Sequence, residues 1–188
     1  AQDEISKEPA KSQTNIISYS LSDKSDNTLY GIVRNIILAK RLFPSWTVQL
    51  ILSQENITSI PQQIVNKVLL EGAKIVKLND SAMHLPAYLW RHLVADDPEV
   101  QYFIVRDAKR RLSSRDASAV QEWIKSGKAI HCVRDHPDDI DQALVPYHWG
   151  AKSSDLRKLM QVTMQKTFEI VLNDTNITST MPDVDSNV

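Results

Sequence analysis

Short apolar runs alternate along the chain with longer stretches in which apolar residues recur every three or four positions. A short run bounded by turn residues is typical of a buried strand, and the periodic stretches are typical of helices with one apolar face. The pattern predicts strands over 16–21, 47–52, 73–78, 103–105 and 129–133, and helices over 29–41, 60–70, 84–94 and 113–124. A helix over 156–167 and a strand over 168–172 are predicted after them.

This order of elements determines the expected architecture. Alternating strands and helices without an internal repeat favour an α/β fold, with a single open, mainly parallel sheet and helices on both faces. We expect one domain over residues 15–172. The polar segment 1–14 is predicted to be disordered, and residues 173–188 are predicted to form a polar tail that frays.

The stretch 101–137 places charged residues at two strand ends. Its first strand stops on Arg106-Asp107, and its second strand stops on Arg134-Asp135. In open α/β sheets, ligands bind in the crevice outside the carboxyl ends of the strands. We therefore expect both Arg-Asp pairs to reach a shared crevice large enough for a ligand.

Composition argues against several kinds of partner and site. The 188 residues carry a net charge of −1, which gives no bulk electrostatic support for a nucleic-acid or membrane-surface partner. No apolar run approaches the roughly 20 residues of a transmembrane helix. Cys132 is the only cysteine, so neither an internal disulfide nor a cysteine-based metal site is expected. The chain begins at Ala1, as expected of a processed protein or a fragment.

Phosphate-binding and hydrolase motifs are missing from the sequence. It contains no G-x-G-x-x-G, no G-x-x-x-x-G-K-[ST] and no G-x-S-x-G pattern, and only four glycines in all. These absences argue against a dinucleotide-binding dehydrogenase, a P-loop enzyme and an α/β-hydrolase. The chemistry that remains at the predicted strand ends is that of charged side chains.

A set of short motifs lies around those strand ends, within residues 16–152. They are Tyr30-Gly31, Asn35, Phe43-Pro44-Ser45-Trp46, Trp90-Arg91, Asp96, Arg106-Asp107-Ala108, Arg111, Ala119-Val120, Glu122-Trp123, Arg134-Asp135-His136-Pro137 and Trp149-Gly150. Together they resemble a family of glycosyltransferase-like proteins with a GT-A type, nucleotide-sugar-binding α/β fold. The two Arg-Asp strand ends and the Trp-Gly pair are the most specific motifs, and none would suffice alone.

The resemblance implies a protein that binds a nucleotide-sugar donor and transfers the sugar to an acceptor that the sequence does not identify. Such enzymes usually hold a divalent cation, Mn²⁺ or Mg²⁺, with an Asp-x-Asp motif at a strand end, where both carboxylates face the same side. The cation stabilises the departing diphosphate. By this resemblance Asp107 is the candidate metal ligand.

This chain departs from the family at that motif and in length. Where the family generally reads Arg-Asp-Ala-Asp-Ser-Arg, residues 106–111 read Arg-Asp-Ala-Lys-Arg-Arg. Either Lys109 replaces the metal as a fixed positive charge on the diphosphate, or metal binding and turnover are lost and the domain only binds. Family members also continue well past the Trp-Gly pair, so an incomplete acceptor side is a further expectation.

The candidate site residues follow from these motifs. The predicted catalytic residues are Asp107, Asp135 and His136, and the predicted substrate-binding residues are Arg106, Lys109, Arg111, Arg134 and Trp149. Structural alternatives stay open for four of them: a salt-bridged loop for Asp107, a solvated side chain for Lys109, a loop hydrogen bond for His136 and a packing anchor for Trp149. Two other functions also stay open, a non-catalytic binding module and an α/β domain unrelated to sugars.

Four N-x-[ST] sequons bear on localisation. They begin at Asn56, Asn79, Asn173 and Asn176. Each is an acceptor pattern for N-glycosylation, which favours the secretory pathway or the extracellular space. Because the pattern also arises by chance in a chain rich in Ser and Thr, a cytoplasmic location is the alternative.

Overall fold

The computed structural model describes residues 14–21, 23–135, 137, 141 and 144–174. The strands in this part of the chain are β1 (Thr14–Ser20), β2 (Trp46–Leu52), β3 (Lys74–Lys77), β4 (Val100–Arg106), β5 (Ile130–Cys132) and β6 (His148–Lys152). The α-helices are α1 (Asp26–Leu42), α2 (Gln54–Ser59), α3 (Gln62–Leu70), α4 (Ala87–Trp90), α5 (Ser114–Ser126), α6 (Ser153–Met160) and α7 (Met164–Asn173). Two short 3₁₀ turns span Asp80–Ala82 and Leu93–Asp96.

The strands form one open sheet in the order β3-β2-β1-β4-β6-β5. Strands β3, β2, β1 and β4 are parallel, whereas β6 is antiparallel to both β4 and β5. The central strands are apolar on both faces, as a parallel sheet covered on both sides requires. Ile16, Ile17, Phe103 and Ile104 are at most 2 % exposed. The predicted α/β fold with a mainly parallel open sheet is confirmed.

Helices cover both faces of the sheet because successive strand residues point in opposite directions. On one face, Ile17, Leu50 and Ile104 belong to a core that includes buried residues of α1, α3 and α5. On the other face, Ile16, Phe103 and Val105 pack with residues of the 93–96 turn and of α6 and α7. In the described part of the chain, no helix is long and apolar enough to cross a membrane.

Trp149 and Gly150 lie in strand β6, which was not among the predicted strands. The segment His148–Lys152 pairs with β4 on one side and β5 on the other. Its sequence lacks the β-branched residues that mark a strand. Gly150 serves a close approach of two backbones instead, because a Cβ at this position would collide with the carbonyl oxygen of Phe103.

The C-terminal elements also differ from the prediction. Residues 156–167 and 168–172 were expected to form a helix and a strand, but they belong to helices α6 and α7, separated at Gln161 by a φ of 60°. The Thr163 hydroxyl caps α7. Both carboxylate oxygens of Asp96 accept hydrogen bonds from the first N–H groups of α7, at Met164 (2.6 Å) and Gln165 (3.1 Å). A cap from a distant turn thus outweighs the strand preference of the sequence.

Two further differences are local. The helix predicted over 84–94 is the single turn α4 followed by the 93–96 turn, and α2 was not predicted. Of the segment 1–14, only Thr14 is among the described residues, and it begins β1. Of the tail 173–188, only Asn173 and Asp174 are described. His136 and Asn176, named above as a catalytic candidate and a sequon, lie outside the described residues.

Candidate functional site

The loop 107–112 lies where the strand order of the sheet reverses. Strand β1 is paired with β2 on one side and β4 on the other. The chain leaves β1 through α1 toward β2, and it leaves β4 through α5 toward the opposite edge. The carboxyl ends of β1 and β4 therefore flank a topological switch point, where open α/β sheets form their ligand crevice.

Helix α1 holds this loop through Asn35, a fully buried residue. Its side-chain Nδ2 donates hydrogen bonds to the carbonyl oxygens of Ala108 (3.3 Å) and Arg110 (2.8 Å), and its Oδ1 accepts one from the Leu112 N–H (3.1 Å). One turn earlier, Gly31 lets the helix approach the loop, since a Cβ there would lie 2.5 Å from the Ala108 oxygen. The loop is thus fixed from beneath before any ligand arrives.

Three cationic residues of this loop are exposed at the switch point. Lys109 Nζ lies 3.0 Å from Oδ2 of Asp23, which follows β1. The Arg110 guanidinium lies 4.3 Å above the ring of Tyr147, within the range of a cation–π contact. Arg111 NH1 donates to the Ala108 carbonyl oxygen at 2.8 Å. The loop therefore places positive charge outside the ends of two central strands.

The donor set around Asp107 does not fit a divalent cation. Its Oδ1 accepts a hydrogen bond from the Lys109 backbone N–H at 2.7 Å, and its Oδ2 lies 3.4 Å from Arg91 NH1. Hard cations require several oxygen ligands, and here one carboxylate sits among cationic groups. No group of three or more His, Cys, Asp or Glu side chains suited to a metal occurs among the described residues. We assign no chemical step to a metal at Asp107.

Arg106 does not reach the crevice, which corrects its predicted role in substrate binding. It is only 3 % exposed and its NH1 donates to the carbonyl oxygens of Val105 (2.9 Å) and Trp149 (3.3 Å). Its Nε lies 3.4 Å from Asp116 Oδ1. Burial lowers the pKa of Arg106, and the Asp116 carboxylate opposes that shift. The guanidinium is an internal group of the fold.

Trp149 is also internal, so its predicted role in substrate binding is corrected as well. The residue is 2 % exposed, its indole stacks on His92 at 5.7 Å, and Phe103 packs edge-on against it. Its Nε1 donates to His92 Nδ1 at 3.1 Å. Burial lowers the pKa of His92 to about 3, which keeps this nitrogen available as an acceptor. Trp149 matches the packing-anchor alternative.

A second polar cluster lies beneath the start of α5, and its central residue, His148, was not predicted. His148 Nε2 is 2.6 Å from Asp116 Oδ1, and the Ser113 hydroxyl donates to Asp116 Oδ2 at 2.6 Å. Burial acts to raise the pKa of Asp116, but the hydrogen bonds from His148 and Ser113 outweigh it and hold the pKa below its usual range. No sequence signal links positions 32 residues apart on different elements.

Asp135 joins this second cluster and is separated from Asp107. Its Oδ1 is 2.7 Å from Arg115 NH2, and its Oδ2 is 3.9 Å from His148 Nδ1. Arg115 thus pairs with Asp135, whereas Asp116, the next residue in the sequence, pairs with Arg106 and His148. Strand β5 runs in the same direction as β4, so both Arg-Asp pairs lie at one edge of the sheet. Because β6 lies between them, the two strand ends are about 10 Å apart, twice a strand spacing.

A groove of about 450 Å³ runs between α5 and the edge strand β5. Its lining includes Arg115 and the exposed Arg134, one of the predicted substrate-binding residues. His131 also lines it and stacks on Trp123 at 5.2 Å. Burial lowers the pKa of His131 to about 4. Arg134 thus lines this groove, whereas no residue of the loop 107–112 does.

Comparisons with known proteins do not place the chain in a family. No family model matches it, and neither does any curated protein. Among solved structures, it resembles a 4-diphosphocytidyl-2C-methyl-D-erythritol synthase from Anaerococcus prevotii, with 12 % identity and a TM-score of 0.45. The likeness covers 87 % of this chain and 85 % of that one. Similarity at this level says nothing about function.

Proposed function

We propose that the crevice between the ends of β1 and β4 binds the diphosphate of a nucleotide-sugar donor, and that the protein transfers the sugar to an acceptor. The observation that supports this is the position of Lys109, Arg110 and Arg111, exposed on a fixed loop at the switch point of the sheet. The site takes an anion by charge and hydrogen bonding and needs no divalent metal.

Fixed cations suit the chemistry of glycosyl transfer. When the bond between the sugar and the diphosphate breaks, negative charge grows on the departing phosphate oxygens. A positive group already held near those oxygens stabilises the transition state without reorganisation. Lys109 supplies a compact charge, and Arg111 supplies a planar donor set that pairs well with phosphate. In this proposal Lys109 performs the role that a metal ion has in related enzymes.

The two carboxylates have different roles in this scheme. Asp107 orients the loop, because its Oδ1 holds the backbone N–H of Lys109. Asp135 is the candidate base for the acceptor hydroxyl, since it lies at the same edge of the sheet and is partly accessible, with 31 % of its side chain exposed. A base must come within hydrogen-bond reach of the hydroxyl proton that it removes. Asp135 thus belongs to the acceptor side and Lys109 to the donor side.

Calorimetric titration tests donor binding. Uridine and guanosine diphosphate sugars are titrated into the protein with and without EDTA. We expect binding that survives the chelator, and a loss of about tenfold or more in affinity for Lys109→Ala, as for the loss of a charge-assisted contact. Lys125→Ala, which removes an exposed lysine from the last turn of α5, is the matched control and should bind like wild type. Binding that EDTA abolishes would contradict the proposal.

A binding module without turnover is the second candidate. It is favoured by Lys109 standing in place of the second carboxylate and by the engagement of both Asp107 oxygens. Donor hydrolysis in Mn²⁺, measured for wild type and Lys109→Asp, separates the two. Activity of the wild type supports the transferase, whereas activity of the variant alone supports the degenerate module. An α/β domain unrelated to sugars predicts no thermal stabilisation by any nucleoside diphosphate.

A further inference from the structure

One ion pair bridges the two sides of the switch-point crevice. Asp23 follows β1, Lys109 follows β4, and their side chains meet with Oδ2 and Nζ 3.0 Å apart. Both side chains are partly accessible, at 36 % for Asp23 and 42 % for Lys109. A carboxylate of the chain itself therefore occupies a position on Lys109 that a phosphate oxygen of a ligand would take.

The other oxygen of Asp23 is held by the start of α1. Its Oδ1 accepts hydrogen bonds from the Ser25 N–H at 2.9 Å and from the Ser25 hydroxyl at 2.6 Å. Burial acts to raise the pKa of Asp23, but hydrogen bonds from Ser25 and Thr28 and the contact with Lys109 outweigh it and keep the pKa below its usual range. The carboxylate is thus charged and pointed at Lys109 by contacts that do not involve a ligand.

We propose that Asp23 is a built-in competitor for the anion position on Lys109, so that a phosphate-bearing ligand must displace it. The inference rests on the proposed function, because it concerns regulation of the same crevice. An ion pair between partly exposed side chains is weak, and a diphosphate, with more than one negative charge, can displace it. A ligand with one carboxylate would replace the ion pair of Asp23 and Lys109 by a similar one, so it gains little binding free energy. The pair therefore selects for diphosphates and closes again when the ligand leaves.

Asp23→Asn removes the competing charge with little change in shape. The asparagine Oδ1 can still accept the two hydrogen bonds from Ser25, so the start of α1 is retained. Asp26→Asn is the matched control, because it deletes the same charge three residues later, from an exposed side chain in the first turn of α1. Asp23→Ser is a second neutral variant, for use if the asparagine variant is poorly folded.

The experiment is calorimetric titration of inorganic pyrophosphate and of uridine diphosphate, in EDTA at about 0.15 M salt. We expect Asp23→Asn to bind both about three- to tenfold more tightly than wild type, in line with the loss of a weak surface pair and of charge repulsion. Asp26→Asn should stay within about twofold, because the Asp26 side chain is exposed and its charge is screened at this ionic strength. In the Lys109→Ala background, Asp23→Asn should give no gain in affinity, because the ion pair that it relieves is absent.

Each outcome discriminates between the two ideas. If the wild type binds and Asp23→Asn binds with the same affinity, Asp23 is not a competitor. The proposed function is then unaffected. An equal gain in Asp26→Asn also overturns it, because the effect would then be one of net charge. Absence of binding in wild type, Asp23→Asn and Asp23→Ser alike overturns the proposed function and the competitor together.

Discussion

The most direct test of the described site is Asn35→Ala, because one buried amide holds the whole cationic loop. The variant removes three hydrogen bonds, to the carbonyl oxygens of Ala108 and Arg110 and from the N–H of Leu112. In the variant, the Ala108 oxygen still accepts a hydrogen bond from Arg111 NH1, whereas the Leu112 N–H loses Asn35 Oδ1 as its acceptor. Removing one partner of a buried polar group is costly, since the remaining group is no longer solvated by water.

The expected magnitude follows from these contacts. Each lost hydrogen bond costs about 1 kcal/mol, and an unsatisfied buried N–H adds about 1–3 kcal/mol. The higher helix propensity of alanine offsets about 0.6 kcal/mol of this loss. The net loss in the free energy of unfolding is therefore about 3–5 kcal/mol. For a domain of this size, that lowers Tm by about 6–20 °C.

Urea unfolding followed by tryptophan fluorescence measures the change. Asn66→Ala is the matched control, because it makes the same substitution on a helix at an exposed position and should alter stability by no more than about 0.5 kcal/mol. Amide hydrogen exchange should rise in the loop 107–112 for Asn35→Ala and stay unchanged for the control. Equal stabilities of the two variants would refute the claim that Asn35 anchors the loop.

The remaining predictions concern the support of the site. Gly31→Ala should destabilise the protein by about 1–3 kcal/mol in urea unfolding, because its Cβ would lie 2.5 Å from the Ala108 oxygen; a stability equal to that of wild type would contradict the close approach. Burial lowers the pKa of His92 from 6.5 to about 3, so its contribution to stability is full above pH 6.5 and declines as the pH falls toward 3. His92→Gln, which retains an acceptor for Trp149, should reduce the loss of stability between pH 7 and pH 5, and an unchanged loss would show that His92 is not the responsible group.

The parallel part of the sheet could be predicted because its strands are continuous apolar runs. Phe103, Ile104 and Val105 are fully buried, as a strand covered on both faces must be. Strand β6 could not be predicted in the same way, because Gly150 contributes no side chain and acts through the space that it leaves. Residues 168–172 of helix α7 were predicted as a strand because the cap of this helix, Asp96, is 68 residues away in sequence.

The positions of the charged strand ends could be predicted, but the directions of their side chains could not. The sequence placed an Arg-Asp pair at each of two strand ends, and both pairs lie at one edge of the sheet because β4 and β5 run in the same direction. Which of those residues point outward depends on packing that the sequence does not display. Arg106 lies opposite His148 in the β4–β6 ladder and turns toward Asp116, whereas Lys109 lies three residues beyond the strand and remains exposed.

The anchoring of the loop and the competition by Asp23 affect a ligand in opposite ways. Asn35 fixes the loop in advance, so a ligand does not have to order it, and preorganisation of this kind favours binding. Asp23 is paired with the Lys109 ammonium, so a ligand must displace the Asp23 carboxylate. Asn35→Ala should therefore weaken pyrophosphate binding, and Asp23→Asn should strengthen it. In the double variant the two effects should add, because Asn35 contacts the loop backbone and Asp23 contacts the Lys109 ammonium, with no shared partner. A double variant that binds no better than Asn35→Ala alone would show that the gain from Asp23→Asn requires the fixed loop, and that the two devices are coupled.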